Sequence, residues 1–152
     1  MLFWNGHWIS GVMLSTHPKW CKLIMAGKKT MEIRKTRPKL QTPFLCYIYQ
    51  TFPKYGDWND LDGHVIGEFT CDSITEISSR SIGKDILSAS CLDLNSIEGY
   101  LGEKKGYAWH ISDVEIYDQP KELSDFKIWK TNPIWNWADT LTRAPQSWCY
   151  IA

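Results

Sequence analysis

The sequence lacks the cysteine and histidine patterns of a metal-binding or disulfide-stabilised protein. Its five cysteines are odd in number and scattered, and no two of them are spaced as Cys-x-x-Cys. This argues against a disulfide framework and against a zinc knuckle. The four histidines share no metal-ligand spacing with one another or with the cysteines. We therefore predict no metal, no cofactor, and free thiols buried in a reducing cytoplasm.

Long apolar runs are also missing. No stretch approaches the roughly 20 apolar residues that a membrane-spanning helix needs. The opening MLFWNGHWISG has neither the basic region nor the sustained apolar run of a signal peptide. The chain has no glycine-rich phosphate loop, and neither Thr30 nor Ser147 has an Asp-His pair near it in sequence. These absences predict a cytoplasmic protein that does not bind membranes, and they argue against serine-type nucleophilic catalysis.

Aromatic residues and a local excess of basic residues are what the sequence does contain. Nine tryptophans and seven tyrosines predict a core of large rings, a surface that stacks on flat ligands, or both. The net charge is zero, yet residues 19–39 hold eight of the 17 basic side chains and only one acid, Glu32. Such an island is typical of phosphate or anion binding, although a solvated face has the same composition.

Apolar alternation and composition predict five or six strands. Gly67 falls inside one of them and is a candidate β-bulge, at which a barrel would bend. The strands are expected over residues 11–16, 30–36, 44–51, 64–77, 106–118 and 146–152.

Two helices are expected between these strands. Ser15 or Thr16 is the predicted N-cap of the first helix, and Gly27 ends it because glycine suits the left-handed C-terminal position. The second helix lies within residues 93–102 and places Tyr100 among its inward-facing side chains.

The 152 residues are enough for one domain with its own core, which we predict over residues 1–152. Residues 1–10 form an extension, and residues 127–145 form an irregular, tryptophan-rich insertion without a clear period. The expected fold is α+β and mostly β, a small mixed β-barrel with two or three helices closing its ends. Helices do not alternate regularly with strands, which argues against parallel βαβ winding.

The stretch GKKTMEIRK places four basic residues around a single glutamate. Side chains alternate between the two faces of a strand. Met31 and Ile33 therefore mark the core face, and Glu32 and Arg34 share the opposite face. Together with Lys29, they form either a ligand site or a structural ion pair at the mouth of the barrel. In a dry cleft the lysine would act as a base, whereas a neighbouring carboxylate would keep it charged.

The run GVMLSTHPKWCKLIMAGKKTMEIRK resembles the signature of the ASCH family, a branch of the PUA-like fold. In that family a strand and a helix lead into a Gly-x-Lys-Thr step and then a Glu-x-Arg strand. The later blocks HVIGEFTCDSI, GYAWHISDVEIYDQPKELSDF and RAPQSWCYI resemble small ASCH proteins of bacteria and phages. The resemblance leaves out the first ten residues and the segment around Trp135. The motif residues here are Gly27, Lys29, Thr30, Glu32 and Arg34.

The resemblance implies a PUA-like barrel with a cleft lined by this motif. PUA-like relatives largely bind RNA, and several hold a modified or flipped base. Some small ASCH proteins hydrolyse the acyl group of N4-acetylcytidine with a Lys-Thr-Glu set, whose lysine corresponds to Lys29. The threonine of that set falls at Glu32, and its glutamate corresponds to Glu98 or Glu103. A ribonuclease activity is also associated with the family.

We therefore predict a binding module that holds a nucleotide or a segment of single-stranded RNA or DNA. One alternative is a small hydrolase of a modified nucleoside, or a ribonuclease, with Lys29 and Glu32 as its catalytic residues. A second alternative is a phage or prophage accessory protein that binds a protein partner through the tryptophan-rich insertion. The predicted phosphate-facing residues are Lys35 and Arg37. The predicted ligand-binding residues are His17, Lys19, Trp20, Lys29, Thr30, Glu32, Arg34, Ser147 and Trp148.

Overall fold

The computed structural model describes residues 2–4 and 6–152. Ten β-strands, three α-helices and one short 3₁₀ helix form within these ranges. The strands are β1 (Leu2–Trp4), β2 (His7–Ile9), β3 (Gly11–Thr16), β4 (Met31–Arg34), β5 (Phe44–Gln50), β6 (His64–Ser78), β7 (Lys105–Lys121), β8 (Lys127–Thr131), β9 (Asn136–Thr140) and β10 (Trp148–Ile151). The helices are α1 (Pro18–Met25), α2 (Lys84–Ser90), α3 (Leu94–Leu101) and the 3₁₀ helix (Leu123–Asp125).

Six strands form one mixed sheet in the order β10-β3-β5-β6-β7-β4. Neighbouring strands run antiparallel except for β3 and β5, which are parallel. Within the described ranges, two further two-stranded sheets pair β1 with β2 and β8 with β9. The predicted α+β, mostly β class is therefore confirmed.

Side chains connect the two end strands of the sheet, β4 and β10. Arg34 of β4 donates from Nη1 to the carbonyl oxygen of Ser147, just before β10, at 3.1 Å. Its Nη2 donates to the carbonyl oxygen of Ser15 in β3 at 2.8 Å. Trp148 Nε1 donates to Thr36 Oγ1, just beyond β4, at 2.9 Å. No backbone ladder joins β4 to β10 in the part of the chain that the structure describes, so side chains bridge the seam of the predicted barrel.

The long pairing of β6 with β7 contains three irregular steps, one of them between Val65 and Gly67. A Cβ at Gly67 would lie 2.4 Å from the carbonyl oxygen of Glu115, which is closer than non-bonded atoms approach. The glycine thus permits the two backbones to approach each other, and the register shifts at the position predicted to bulge. Bulges increase local twist and bend a sheet.

The apolar residues form separate clusters on the two faces of the sheet. The interior cluster includes Leu14, Phe69 and Trp109, all with at most 1% of their surface exposed. A second cluster joins Ile33 of β4 to Ile97 of α3. Since Ile33 packs under a helix and its neighbours in β4 face the interior, both faces of this strand are buried.

The end of the first helix agrees with the prediction, whereas its beginning does not. Gly27 follows the helix with a φ of 73° and donates its N–H to the carbonyl oxygen of Ile24 at 3.0 Å. The N-cap is His17, with extended backbone and no side-chain hydrogen bond to the helix. Ser15 and Thr16 are not the cap, because β3 continues through both of them.

Helix α2, the β1–β2 hairpin and the β8–β9 hairpin were not predicted. Helix α2 has seven residues, a glycine N-cap and no side-chain cap, so it lacks the usual start signal. Residues 127–145, predicted to be irregular, contain the β8–β9 hairpin. The turn of this hairpin is held by Asn132 Oδ1, which accepts from the N–H groups of Ile134 and Trp135 at 2.8 and 2.9 Å. Both strands are largely exposed, so they show no apolar alternation.

The predicted 1–10 extension includes the β1–β2 hairpin, and Ile9 at its end is 1% exposed. Residues 1 and 5 of that extension lie outside the described ranges. None of the helices in the described ranges is long and apolar enough to cross a membrane.

The five cysteines are free, as predicted. Cys21, Cys46 and Cys71 are buried, whereas Cys91 and Cys149 are partly exposed. Burial raises the pKa of the Cys71 thiol to about 12. The buried thiols therefore behave as small apolar side chains.

Candidate functional site

A cavity of about 380 Å³ opens where the N-terminal end of α1, the strand β4, helix α3 and the segment before β10 meet. Its volume falls within the roughly 300–1,000 Å³ range of small-ligand sites. The residues that line it are Ser15, Thr16, His17, Trp20, Lys29, Glu32, Ile33, Arg34, Leu92, Ser96, Tyr100, Gln146 and Ser147.

Three buried charged side chains line this cavity, and one carboxylate stands between two cations. Lys29 is 2% exposed, and Glu32 and Arg34 are each 8% exposed. Arg34 Nε donates to Glu32 Oε1 at 3.2 Å. Lys29 Nζ lies 3.8 Å from Glu32 Oε2. Removing three charged side chains from water costs free energy. Buried clusters of charged residues occur at functional sites and also in structural ion-pair networks.

Lys29 reaches the cavity because Gly27 ends α1 and turns the chain back toward β4. Its Nζ donates to the carbonyl oxygen of Ser90, at the C-terminal end of α2, at 2.6 Å. It also lies 4.9 Å from the centroid of the Trp20 ring. Burial lowers the pKa of Lys29, and the nearby Glu32 carboxylate opposes that shift only in part. The amine therefore releases its proton more readily than an exposed lysine.

Glu32 has one oxygen without a hydrogen bond. Its Oε1 accepts from Arg34, but Oε2 is buried and has no hydrogen-bond partner within the described residues. Lys29 Nζ, at 3.8 Å, pairs with this oxygen beyond hydrogen-bond distance, and a buried acceptor without a hydrogen bond costs about 1–3 kcal/mol. Glu32 lines the cavity, so a donor on a ligand held there would supply the missing hydrogen bond.

Aromatic rings and further lysines surround these charges. Trp20 and Tyr100 line the cavity. Lys19 Nζ lies 4.8 Å from the centroid of Trp20, and Lys35 Nζ lies 4.8 Å from the centroid of Tyr100. Each ring thus has a lysine ammonium against it at the rim of the cavity.

The predicted ligand-binding residues are partly brought together. Six of them line the cavity: His17, Trp20, Lys29, Glu32, Arg34 and Ser147. Lys19 lies outside it, against Trp20. Thr30 does not line it; its N–H donates to the carbonyl oxygen of Ala89, and its carbonyl oxygen accepts from the N–H of Ile111. Trp148 lines a different cavity.

The two predicted phosphate-facing residues lie in the loop after β4, along a groove formed by residues 35–41 and Tyr107. Lys35 is exposed. Arg37 donates from Nε to the carbonyl oxygen of Pro38 and from Nη2 to that of Leu40, both at 3.3 Å. Arg37 therefore helps to hold the loop, and Lys35 is the more available of the two cations.

Sequence reasoning missed several lining residues. Ser15, Thr16 and Gln146 adjoin residues that were predicted, so their proximity along the chain was an available signal. Leu92 and Ser96 come from the α2–α3 region and enter the site only through tertiary packing. Tyr100 was predicted to face inward and is 40% exposed, on the cavity wall. Glu98 and Glu103, the suggested glutamates of a hydrolytic set, are exposed and do not line the cavity.

Comparison with known proteins points to one family. The model of the ASCH domain matches residues 14–121. A comparison with curated proteins found no match.

Solved structures with a similar fold come from Zymomonas mobilis. The structure of its ASCH protein has 20% identity and a TM-score of 0.69, and the alignment covers 94% of this chain and 88% of that one. Two single-residue variants of the same protein each align with 20% identity and a TM-score of 0.64 over 94% of this chain, and over 89% and 91% of theirs. At this identity the likeness shows the fold alone.

Proposed function

The chain belongs to the ASCH domain family, and on this premise we propose that it binds a nucleobase of single-stranded RNA, or of a free nucleotide, in the cavity around Glu32. The family is often linked to nucleic-acid binding. The observation that carries the proposal is the buried Oε2 of Glu32, which accepts no hydrogen bond within the described residues.

The chemistry of the cavity suits a base edge. A carboxylate oxygen accepts hydrogen bonds from the amino or imino groups on the edge of cytosine or guanine. Arg34 holds the other oxygen of Glu32 and so orients the carboxylate. Trp20 and Tyr100 offer aromatic surface to a flat ring. The lysines at the rim attract the phosphate that accompanies the base.

Substitution of Glu32 by glutamine tests this proposal. Glu32→Gln keeps the shape of the side chain but replaces a charged acceptor with an amide. A hydrogen bond to a charged group contributes about 1.5–3 kcal/mol, so we expect affinity for the preferred mononucleotide to fall about 10- to 100-fold. The measurement is calorimetric titration with the four 5′-ribonucleoside monophosphates.

Glu103→Gln is the matched control, since Glu103 is exposed and lies outside the cavity lining. Its affinity should equal that of the unsubstituted protein. Thermal unfolding of both variants checks that they fold. Equal affinities of the Glu32→Gln variant and the unsubstituted protein would rule out the proposal.

A second function, hydrolysis of an N4-acylated cytidine, is supported by one observation. Burial lowers the pKa of Lys29, which lines the cavity, so a larger fraction of its amine is unprotonated and able to accept a proton than for an exposed lysine. If this function holds, the protein releases cytidine from N4-acetylcytidine and Lys29→Met abolishes the release. Absence of turnover by the unsubstituted protein would exclude it, while nucleotide binding would remain to be judged by titration.

A further inference from the structure

A second cavity, of about 450 Å³, opens where β2, β8 and β10 meet. All the residues that line it lie outside residues 14–121, the region that the family model matches. It is therefore built by the N-terminal hairpin, the β8–β9 hairpin and the last strand, all of which lie outside the matched residues.

Four aromatic side chains line this second cavity, and their contacts hold them in place. His7 stacks on Trp129 with ring centroids 4.9 Å apart and planes 23° from parallel. Trp148 meets Tyr150 edge to face at 5.2 Å. Trp129 Nε1 donates to the carbonyl oxygen of Trp8 at 2.8 Å, and Trp148 Nε1 donates to Thr36. Because the polar edges of both indoles are occupied within the protein, what these rings offer a ligand is apolar, aromatic surface.

The charge around this cavity favours a ligand that carries negative charge. Lys130 lines the cavity but is paired with Asp139 Oδ2 at 2.8 Å, so the excess positive charge comes from a neighbouring loop. The loop of residues 35–41 contains three basic residues and no acid. It is attached to the cavity wall, because the N–H of Lys39 donates to the hydroxyl of Tyr150 at 2.8 Å. A ligand with a flat ring and an attached phosphate would stack its ring on the aromatic side chains and pair its phosphate with the basic loop.

The two cavities are adjacent along the chain at one point and share a neighbouring loop. Ser147 lines the first cavity and the next residue, Trp148, lines the second. The basic loop also extends from one to the other. At its start, Lys35 lies over Tyr100 of the first cavity. Further along, Lys39 is bonded to Tyr150 of the second.

We propose that the aromatic cavity holds the base of a nucleotide adjacent to the one in the first cavity, with the linking phosphates along the loop of residues 35–41. The inference rests on the proposed function and extends it. The ligand becomes a single strand of at least two nucleotides, recognised by hydrogen bonds in one cavity and by stacking in the other.

The test compares mononucleotides with short single strands. The probes are the four 5′-ribonucleoside monophosphates and the four homopolymeric RNA hexanucleotides, titrated into the unsubstituted protein and into Trp129→Leu. Stacking of a base contributes about 1–3 kcal/mol. We therefore expect Trp129→Leu to weaken hexanucleotide binding about 5- to 100-fold and to leave mononucleotide binding unchanged. Trp129→Phe, which keeps a ring, should retain most of the affinity.

Trp137→Leu is the matched control, because Trp137 lies in the same hairpin but does not line the cavity. It should bind hexanucleotides as the unsubstituted protein does. Unchanged hexanucleotide affinity in a folded Trp129→Leu variant would overturn the second subsite, and so would an equal loss for mononucleotides and hexanucleotides. If the first cavity does not bind the base, a different result is expected: mononucleotide affinity would then be unchanged by Glu32→Gln.

Discussion

Replacement of Arg34 by methionine tests whether this side chain closes the seam of the sheet. Arg34 is 8% exposed and makes four hydrogen bonds. They reach Glu32 Oε1 at 3.2 Å, the carbonyl oxygen and Oγ of Ser147 at 3.1 and 3.2 Å, and the carbonyl oxygen of Ser15 at 2.8 Å. The change removes all four and leaves Glu32 with Lys29 at 3.8 Å as its remaining cation.

The expected loss follows from the burial of the partners. Removing one member of a buried ion pair costs about 3–5 kcal/mol, because the other charge stays buried without compensation. We therefore expect Arg34→Met to lower the free energy of unfolding by about 3–5 kcal/mol. The triple variant Lys29→Met/Glu32→Met/Arg34→Met should lose less than the single variant, since no buried charge then lacks its partner.

Urea unfolding followed by tryptophan fluorescence and by circular dichroism gives the free energy and its denaturant slope. Arg80→Met is the control, because Arg80 is exposed and a surface change costs at most about 0.5 kcal/mol. Two results would refute the reasoning. One is an Arg34→Met variant as stable as the Arg80→Met control. The other is a triple variant less stable than Arg34→Met alone.

Three further predictions concern ionisation and packing. Burial lowers the pKa of Lys29 in the folded protein below its value in the unfolded chain. Between these two pKa values the unfolded chain binds more protons, so the free energy of unfolding rises with pH. The difference in this free energy between the unsubstituted protein and Lys29→Met should therefore shift in favour of the unsubstituted protein as the pH becomes alkaline. Parallel urea titrations from pH 7 to 10 check this, and a flat difference would contradict it. A thiol reagent at pH 8 should label the partly exposed Cys91 well before Cys71, because burial raises the pKa of the Cys71 thiol to about 12. Mass spectrometry of the labelled peptides measures the order, and labelling of Cys71 first would contradict the prediction. Gly67→Ala should destabilise by about 1–3 kcal/mol, because its Cβ would lie 2.4 Å from the Glu115 carbonyl oxygen; an unchanged melting temperature would show that the backbones separate freely.

Local elements were predictable where local interactions decide them. The strand Gly11–Thr16 is apolar through its centre, and the following helix carries Pro18 at its start and Gly27 just beyond its end. Helix α3 begins after Asp93, whose Oδ1 accepts from the N–H of Ser96 at 2.7 Å. Helix α2 and the β8–β9 hairpin were not predictable, because neither has a complete start signal or a regular apolar face.

The candidate site was predictable in part. Spacing alone placed Glu32 and Arg34 on one face of their strand, opposite Ile33. It did not indicate that both faces are buried, with Ile33 under the helices and the two charged residues facing the interior. The contribution of Leu92 and Ser96 to the cavity also had no local signal, since it depends on how α2 and α3 pack against β4.

Short-range patterns were enough to predict the alternation within β4, the glycine that ends α1, and the charges that the GKKTMEIRK stretch brings together. These features depend on residues within a few positions of one another, so the periods of a strand and a helix are enough to place them. The contact between Arg34 and Ser147, which are 113 residues apart, follows instead from long-range folding. So does the position of Trp148 in the lining of a second cavity. Both depend on the long-range pairing of β10 with β3 and on its approach to the end of β4, which no single segment specifies.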